Sequence, residues 1–491
     1  MEPFSRSQIV QEWISPTPEP QMDYGDFKGL SEGQKEEILR KEAENNCIER
    51  PQGYNVSFHY NSKVEQHHFG KTHPMKPWRL QLTKQLVLGY GLEYAMDMYQ
   101  TRPATKQEIA IFHDRGYLDF LELVTPNNVD EYRDEQNKYN FGIEFYDCPV
   151  FDGMWDYISL YSGATMDAAR KVCSGQSNIA INWSGGLHHA KKSSASGFCY
   201  VNDIVLAIQY MMQYYSRILY IDIDVHHGDG VEQAFHSTNR VMTLSYHKYA
   251  PNEFFPGTGG LDETGPKDTY NEGAHHSLNV PLKDGIDDHE YKELFKVVTG
   301  HVIEAYKPQA IVIQCGADSL GGDRLGRFNL NITAHGYCVE FVKATHLPLL
   351  IIGGGGYTPR NVARTWTHET ALCVGAQLHD DLPWHIPYRR AFSGERNGDG
   401  KLYPDLSTVS LKQNQNTAEE LHTIVKNVHW EMRYVHSAPH VQMDRLPPAY
   451  DKIRDEIDRE IREEQEEKDR DEAARKRRER NVGARGEMRM R

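Results

Sequence analysis

Short apolar runs alternate with segments of helical apolar spacing between residues 54 and 446. Uninterrupted apolar runs are typical of parallel strands buried on both faces, and amphipathic helices between them cover such a sheet. Helical spacing is clearest over 204–215 and 290–306. The strongest strand candidates are 178–184, 217–226, 241–247, 310–316 and 348–353. The pattern predicts an α/β fold, a single large domain over residues 51–446 with a central parallel sheet flanked by helices.

The two ends of the chain lack this pattern. Residues 1–50 hold a proline-rich stretch at 15–20 and a charged, helix-capable stretch near 34–46, and we expect a mobile N-terminal extension there. Residues 447–491 are almost wholly charged, acidic at first and basic at 475–480, and predict a disordered tail without an apolar stripe. The basic cluster fits a solubilising tail or a nuclear-import signal, and the charge pattern leaves both open.

Charge and cysteine usage narrow the function classes. The formal net charge of -15 argues against electrostatic binding of nucleic acid by the whole chain and favours a basic partner or substrate. The seven cysteines are scattered and never spaced as Cys-x-x-Cys, so we expect no disulfides, no cysteine zinc site and a reducing, intracellular compartment. Neither a signal-peptide pattern nor a run of about 18 apolar residues occurs, so we expect neither secretion nor membrane insertion.

Polar and ionisable residues follow each of the five predicted strands. Ligands of open parallel α/β sheets bind beyond the carboxyl ends of the strands, so these residues are expected to meet at one edge. Burying such groups without partners would cost several kcal/mol each. The segments concerned are 185–189, 222–229, 245–248, 316–318 and 353–357.

The second and the fourth of these strand ends predict a metal site. Strand alternation would place Asp222, Asp224 and His226 on one face, where their charges require a cation between them. A divalent ion held by Asp224 and His226, and completed by Asp318 from a neighbouring strand end, meets this requirement and leaves a position for water. The alternative is a hydrogen-bonded Asp/His cluster that caps loops.

Two further motifs accompany the cluster. His188 and His189 follow a Gly-Gly turn and can act on a water molecule beside the metal, oriented by Asp222 and Asp229, although they could also be ordinary loop histidines. Tyr357 follows four consecutive glycines. Such a loop can bind phosphate, but no Gly-x-Gly-x-x-Gly helix start or P-loop lysine accompanies it. A phenol beside a metal can instead stabilise an oxyanion.

Taken in order, these motifs resemble the class I, zinc-dependent histone deacetylases of the arginase-deacetylase fold, over residues 54–446. The sequences of residues 329–332 and 357–361 are most similar to those of a fungal member. The strings that carry the resemblance are His73-Pro-Met-Lys-Pro77, Trp183-Ser-Gly-Gly-Leu-His-His-Ala-Lys191, Gly197-Phe-Cys-Tyr-Val-Asn-Asp203, Asp222-Ile-Asp-Val-His-His-Gly-Asp-Gly230, Phe255-Pro-Gly-Thr-Gly259, Gly316-Ala-Asp-Ser-Leu320 and Gly353-Gly-Gly-Gly-Tyr357.

The resemblance implies hydrolysis of the acetyl amide of N-ε-acetyl-lysine in histones and other proteins, giving acetate and lysine. It implies that Asp224, His226 and Asp318 are the zinc ligands and that Tyr357 donates a hydrogen bond to the oxyanion. His189, paired with Asp229, would be the general base. His188, paired with Asp222, would be its electrostatic partner and a candidate proton donor. Implied substrate-binding residues are Gly197, Phe198, Phe255 and Leu325, which would line a narrow tunnel, and Asp147, which would hold the substrate backbone.

The resemblance also implies ancillary ligands and a cellular setting. One potassium site would form near Asp222, Asp224, His226, Ser245 and Tyr246, and a second near Phe235, Thr238 and Val241. An inositol phosphate would bind His68, Lys76, Arg324 and Arg360, a cluster of cations suited to polyphosphate, although these could be unrelated surface charges. The expected setting is a corepressor complex that acts on histone tails in the nucleus, and also the cytoplasm, without sequence-specific nucleic-acid binding.

Three positions depart from the family pattern. Thr72 stands where glycine is usual, which weakens the case for inositol phosphate. The segment 143–147 differs from the family loop, which leaves the role of Asp147 in doubt. Arg327 replaces a frequent small residue near the tunnel and would bias its rim towards acidic sequences.

Three other functions stay open on the sequence. The first is deacetylation of a small molecule such as an acetylated polyamine, and the second is a corepressor scaffold without turnover. The third is arginase-like dimanganese chemistry, which would need more carboxylates around the cluster. The sequence also leaves open whether iron replaces zinc, because two carboxylates and one histidine form a hard ligand set.

Overall fold

The computed structural model describes residues 29–141, 147–266, 271–394, 398–407, 412–435 and 459. The chain divides into two units, residues 1–436 and 437–491. Apart from Arg459, the second unit lies outside the described residues, and so does the tail expected over 447–491. The site residues named above all belong to the first unit.

An eight-stranded parallel sheet forms the centre of the first unit, and this confirms the predicted fold class. The order across the sheet is β2-β1-β3-β8-β7-β4-β5-β6. The strands are β1 Val56–Tyr60, β2 Asp97–Gln100, β3 Ile179–Asn182, β4 Ile218–Asp222, β5 Val241–Lys248, β6 Ser277–Leu282, β7 Ala310–Gln314 and β8 Leu349–Ile352.

Helices connect the strands and cover both faces of the sheet. Each crossover between parallel strands needs a long connection, which is usually helical. Among the described residues the helices are α1 Glu32–Asn45, α2 Arg79–Gly89, α3 Lys106–Ile109, α4 Arg115–Leu123, α5 Arg133–Tyr139, α6 Met154–Cys173, α7 Asp203–Met211, α8 Asp229–Phe235, α9 Asp288–Tyr306, α10 Ile332–Lys343, α11 Pro359–Val374 and α12 Ala418–Glu431.

The strand residues alternate between two apolar cores. On β4, Ile218 and Tyr220 pack in the core that includes residues of α6, α7 and α8. Leu219 and Ile221 pack in the larger core, to which α9, α10 and α11 contribute. All four side chains are at most 1% exposed, so β4 is buried on both faces, as its uninterrupted apolar run predicts.

The element boundaries differ from the sequence prediction in several places. Four of the five predicted strands are shorter in the structure than predicted, and β4 ends at Asp222 rather than at 226, whereas β5 extends one residue further, to Lys248. β1, β2 and β6 were not among the strand candidates. The predicted helices 204–215 and 290–306 are α7 and α9, and the stretch near 34–46 is α1, which begins at a capping box of Ser31 and Gln34. No described helix combines the length and the apolar character needed to cross a lipid bilayer.

Candidate metal centre and active site

The carboxyl ends of four adjacent strands meet at the centre of the sheet. β8 lies between β3 and β7, and β7 pairs with β4. The register places Asp222 beside Gln314, and Gln314 beside Ile352. The segments that follow these strands therefore converge, which is where the sequence predicts the site.

The segment after β4 is an irregular turn, and the predicted strand alternation through His226 is wrong. The Asp222 carboxylate accepts a hydrogen bond from the Asp224 backbone N–H at 3.2 Å. The Asp224 carboxylate accepts one from the His226 N–H at 3.0 Å. Each aspartate thus caps the backbone two residues further on, which stabilises a turn in place of the strand ladder. The three side chains still meet, but for this reason and not because of alternation.

Asp224, His226 and Asp318 form one buried cluster of potential ligands, the metal group. His226 Nδ1 lies 3.1 Å from an Asp224 oxygen and 3.0 Å from an Asp318 oxygen. The three potential ligand atoms lie within 4.8 Å of one another, and among the described residues no other group of His, Cys, Asp or Glu meets this criterion. Two carboxylates and one imidazole are a donor set that suits a divalent cation. The residues present therefore fit the metal that the sequence predicts.

The pKa values of the metal group also indicate that it binds a cation. Burial and the neighbouring Asp224 carboxylate raise the pKa of Asp318 to about 7. Burial disfavours the charged form of His226, but the two carboxylates outweigh it and raise the pKa of His226 to about 10. The group therefore binds positive charge strongly, whether as a proton or as a cation.

Glycines bring neighbouring backbone against the metal group. A Cβ at Gly316 would lie 2.0 Å from an Asp224 oxygen, and a Cβ at Gly355 would lie 2.1 Å from an Asp318 oxygen. The Gly355 N–H donates to Asp224 at 2.8 Å, and the Gln314 amide donates to the same oxygen at 3.0 Å. Only glycine allows this close approach. The carboxylates are thus fixed by their surroundings and are not free to turn away.

The two predicted histidine–aspartate pairs are present. His188 Nδ1 lies 2.8 Å from Asp222, and His189 Nδ1 lies 2.8 Å from Asp229. The two imidazole ring centres are 3.9 Å apart. His189 also faces the metal group, because its ring centre lies 5.9 Å from that of His226. The tandem histidines therefore sit beside the candidate metal ligands, each oriented by its own carboxylate.

The electrostatic surroundings separate the two histidines. Burial and the adjacent His188 charge lower the pKa of His189 to about 3. Burial also opposes charge on His188, but the carboxylates of Asp222 and Asp224 outweigh it and raise its pKa to about 9. These opposite shifts favour the neutral form of His189, whose Nε2 can then accept a proton, and the protonated form of His188.

Tyr357 lies next to the metal group and is 5% exposed. Burial, reinforced by the charges of Asp318 and Asp224, raises the pKa of the Tyr357 phenol well above its usual value, so the hydroxyl keeps its proton. Arg79 holds the glycine loop that precedes Tyr357, donating to the Gly356 carbonyl at 2.6 Å and to the Gly354 carbonyl at 2.5 Å. The loop that carries the phenol is thus anchored from α2.

The predicted tunnel residues surround the same place. The Phe255 ring lies 4.9 Å from that of His189, and the Phe198 ring lies 5.6 Å from that of Tyr357. A Cβ at Gly197 would lie 2.3 Å from His189 and 3.0 Å from Phe255, so glycine is required there. Leu325 is half-buried and packs against the larger core.

Asp147 contacts this group from a separate segment. It accepts a hydrogen bond from the Gly197 N–H at 2.6 Å, and burial raises the pKa of its carboxyl group. Residues 143–146, which precede it, lie outside the described residues. Asp147 therefore holds the backbone of a tunnel residue, and its role towards substrate stays a prediction.

The residues assigned to potassium and inositol phosphate have definite surroundings. Asp222 and Ser245 are register partners on β4 and β5, and a surface cavity of about 500 Å³ is lined by Phe235 and Thr238. Lys76 is buried and donates to the carbonyls of Gly70 and Lys71, whereas His68 is exposed. The remaining assigned residues are Tyr246 and Val241 on β5, Arg324, which is half-buried, and Arg360, which donates to the Ala391 carbonyl.

Several residues that build the site were not identified from the sequence. Arg79 on α2 and Asp323 in a loop come from elements that no spacing rule connects to the strand ends, whereas Gln314 is the last residue of β7. Asp323 accepts hydrogen bonds from the backbone of Tyr357 and Leu325. Lys191, which lies 2.5 Å from Asp229, belongs to the motif 183–191, but the motif alone does not indicate a role for it. Its position two residues after His189 was the available signal.

Comparison with known proteins gives consistent similarities. The histone deacetylase domain family model matches residues 73–373. The chain is 48% identical over 409 residues to histone deacetylase B of Dictyostelium discoideum, covering 82% of this chain and 94% of that protein. It is 47% identical over 392 residues to histone deacetylase 1 of Homo sapiens, covering 80% of this chain and 78% of that protein. Histone deacetylase 1 of Bos taurus is similar to the same extent.

Proposed function

The chain belongs to the histone deacetylase family, in its class I, and on this basis we propose that it hydrolyses N-ε-acetyl-lysine in histones with one zinc ion held by Asp224, His226 and Asp318. The observation that carries the proposal is the buried group of three ligands beside the neutral imidazole of His189. A fungal source stays a prediction.

A zinc ion bound there would polarise the acetyl carbonyl and lower the pKa of water in contact with it. His189 Nε2 takes the proton of the attacking water, since Nδ1 is engaged with Asp229 at 2.8 Å. His188 supplies positive charge beside the reacting atoms and gives a proton to the departing lysine amine. Tyr357 donates its hydroxyl proton in a hydrogen bond to the oxyanion, as its raised pKa favours.

The tunnel residues select the substrate. Phe198 and Phe255 offer aromatic faces to the lysine methylenes, and Gly197 keeps the space beside His189 narrow. A charged lysine amine is disfavoured in such surroundings, so the neutral acetyl amide enters and the product leaves as it becomes protonated. Asp147 supports this arrangement through the Gly197 backbone.

We propose the wider setting from the family alone. The protein would act on histone tails in the nucleus, and also the cytoplasm, as part of a corepressor complex that regulates transcription, without reading nucleic-acid sequence. Potassium at the β4–β5 end and at the Phe235 cavity would be structural. Inositol phosphate would bind at His68, Lys76, Arg324 and Arg360, and Thr72 is the residue that argues against it. Purification from the source, with identification of bound proteins and metals, tests this setting.

Two substitutions test the assignment of metal and base. Asp318→Ala removes a ligand, so we expect loss of both zinc and turnover, measured by metal analysis and by acetate release from an acetyl-lysine peptide. His189→Ala removes the base alone, so turnover is lost while zinc stays bound. The exposed His289→Ala is the control and should change neither. A His189→Ala protein with near-normal turnover would refute the base assignment.

A substrate comparison separates this proposal from deacetylation of small molecules. Equal amounts of an acetyl-lysine peptide and an acetylated polyamine are assayed with the same enzyme. We expect a higher kcat/KM for the peptide. Preference for the polyamine would overturn the histone assignment but keep the metal chemistry, and absence of turnover on both, with zinc bound, would indicate a scaffold.

A further inference from the structure

A further buried histidine–carboxylate pair, His335 and Glu369, lies behind the metal centre and takes no part in the chemistry described above. His335 is in the first turn of α10 and Glu369 is on α11, and both side chains are 0% exposed. His335 Nδ1 lies 2.5 Å from Glu369 Oε1. The sequence gives no sign of this pair, because its members are 34 positions apart.

The other ring nitrogen of His335 fixes the hydrogen positions. Nε2 lies 2.9 Å from the Gly316 carbonyl oxygen, which can only accept, so Nε2 carries a hydrogen. One more proton is shared between Nδ1 and Glu369, and the pair is neutral wherever that proton resides. Glu369 holds the imidazole in this orientation, as a carboxylate does for a metal-ligating histidine.

The contact with Gly316 leads directly to the metal group. Gly316 is two residues before Asp318, and a Cβ at Gly316 would lie 2.0 Å from Asp224. Trp366 of α11 holds the preceding carbonyl, that of Cys315, at 2.8 Å. The turn that presents Asp318 is therefore fixed from behind by two side chains, and the carbonyl held by His335 is the nearer of the two to Asp318 along the chain.

The His335–Glu369 pair is not expected to add much to the free energy of unfolding. Glu369 Oε2 is buried and has no hydrogen-bond partner among the described residues, which costs free energy. Replacing a buried ionic pair by apolar side chains is often neutral or stabilising. Its contact with Gly316 is a feature that such a replacement could not reproduce.

We propose that His335, held by Glu369, is a positioning residue that fixes the Gly316 turn and thereby the place of Asp318 in the metal group. The inference rests on the proposed zinc site. His335 touches neither substrate nor metal, and it acts on the geometry of one ligand. Its expected effect is on metal affinity, because a misplaced ligand weakens binding before it prevents folding.

The test is zinc affinity of the full chain, measured by competition with a chelating dye after metal removal. His335→Asn is too short to bridge Glu369 and Gly316, and we expect zinc binding about 10- to 100-fold weaker. Glu369→Ala leaves the imidazole without its orienting partner and should weaken zinc about 10-fold. Glu369→Gln can still hold Nδ1, so its affinity should recover to within about 3-fold of wild type.

His368→Asn is the matched control. His368 is next to Glu369 on α11, packs against Gly336 of α10 and bonds the Tyr403 hydroxyl at 3.0 Å, but it does not reach Gly316. Its substitution should lower the melting temperature without changing zinc affinity.

Wild-type zinc affinity in His335→Asn or in Glu369→Ala would overturn the proposal, and so would an equal loss in His368→Asn. If His335→Asn does not fold, the comparison of Glu369→Ala with Glu369→Gln decides: wild-type zinc affinity in Glu369→Ala overturns the proposal, and weaker binding that recovers in Glu369→Gln supports it. A wild-type protein that binds no zinc would instead refute the proposed function, so the two failures are distinguishable.

Discussion

Asp323 offers a direct test of how the site is held together. Its carboxylate accepts four backbone hydrogen bonds, from Leu325 at 2.9 Å, Gly326 at 3.1 Å, Tyr357 at 2.7 Å and Thr358 at 3.1 Å. One oxygen binds its own loop and the other binds the end of the glycine loop. Asp323 therefore joins the segment that carries Leu325 to the segment that carries Tyr357.

Asp323→Asn changes one oxygen into an amide group of the same size. Whichever way the amide turns, two of the four backbone N–H groups face a donor and lose their partner. A buried donor without a partner costs about 1–3 kcal/mol, so the loss should be about 2–6 kcal/mol. For a domain of about 400 residues this corresponds to a fall in Tm of about 2–7 °C.

Activity should fall further than stability implies. Loosening the Tyr357 backbone moves the phenol from the oxyanion, and one such donor contributes about 10²–10³ in kcat. We expect kcat to fall about 10- to 100-fold, with zinc content unchanged. The assay is deacetylation of a peptide alongside differential scanning calorimetry. Asp262→Asn makes the same charge change at an exposed position and should alter neither.

A double variant identifies the route of the effect. If Asp323 acts through Tyr357, then Asp323→Asn combined with Tyr357→Phe should be no slower than Tyr357→Phe alone. Multiplied losses in the double variant, or a wild-type kcat and Tm in Asp323→Asn, would show that this reasoning is wrong.

Three other outcomes are expected. Gly197→Ala should lower kcat at least about 10-fold with zinc retained, because its Cβ would lie 2.3 Å from His189. The control is Gly175→Ala, which should keep its activity: Gly175 also has a left-handed backbone, with φ 70, but has open space around it. Burial would raise the pKa of Glu232, but its histidine neighbours hold it well below the usual range, so its stabilisation is present above about pH 4.5 and is lost as pH falls. Glu232→Gln should therefore melt below wild type at pH 7, with the difference shrinking below pH 4, and a constant difference would contradict this. Chelation should abolish turnover and zinc should restore it; activity that resists chelation in a protein shown to be metal-free would count against the metal site.

The sequence predicts the five adjacent strands β3, β8, β7, β4 and β5, but not β1 and β2 on one side of them or β6 on the other. β4, β7 and β8 are uninterrupted apolar runs, so their pattern alone identifies them. β2 alternates between half-buried and exposed residues, and β6 contains a proline, so neither gives the signal of a buried strand. Their place in the sheet comes from pairing with neighbours, which is not a local property of the chain.

The candidate site shows the same division. Asp224 and His226 could be found because they follow a strong strand, and the convergence of strand ends then points to Asp318. The turn after β4 that brings these residues together could not be predicted. It depends on hydrogen bonds from backbone N–H groups to the Asp222 and Asp224 side chains, which replace the expected β-strand hydrogen bonds. His335 and Arg79 could not be found either, since only the packing of helices on the sheet brings them near the ligands.

The position of β8 between β3 and β7 has a consequence for the biosynthesis of the protein. The tandem histidines come from the segment after β3, the candidate metal ligands from those after β4 and β7, and the phenol from the one after β8. A nascent chain on the ribosome cannot close the middle of the sheet until β8 has emerged, although most of the ligands are already outside. Binding of the proposed metal ion and the onset of activity would therefore be late events, and a chain whose translation stops before β8 would leave the carboxylates of the candidate site exposed.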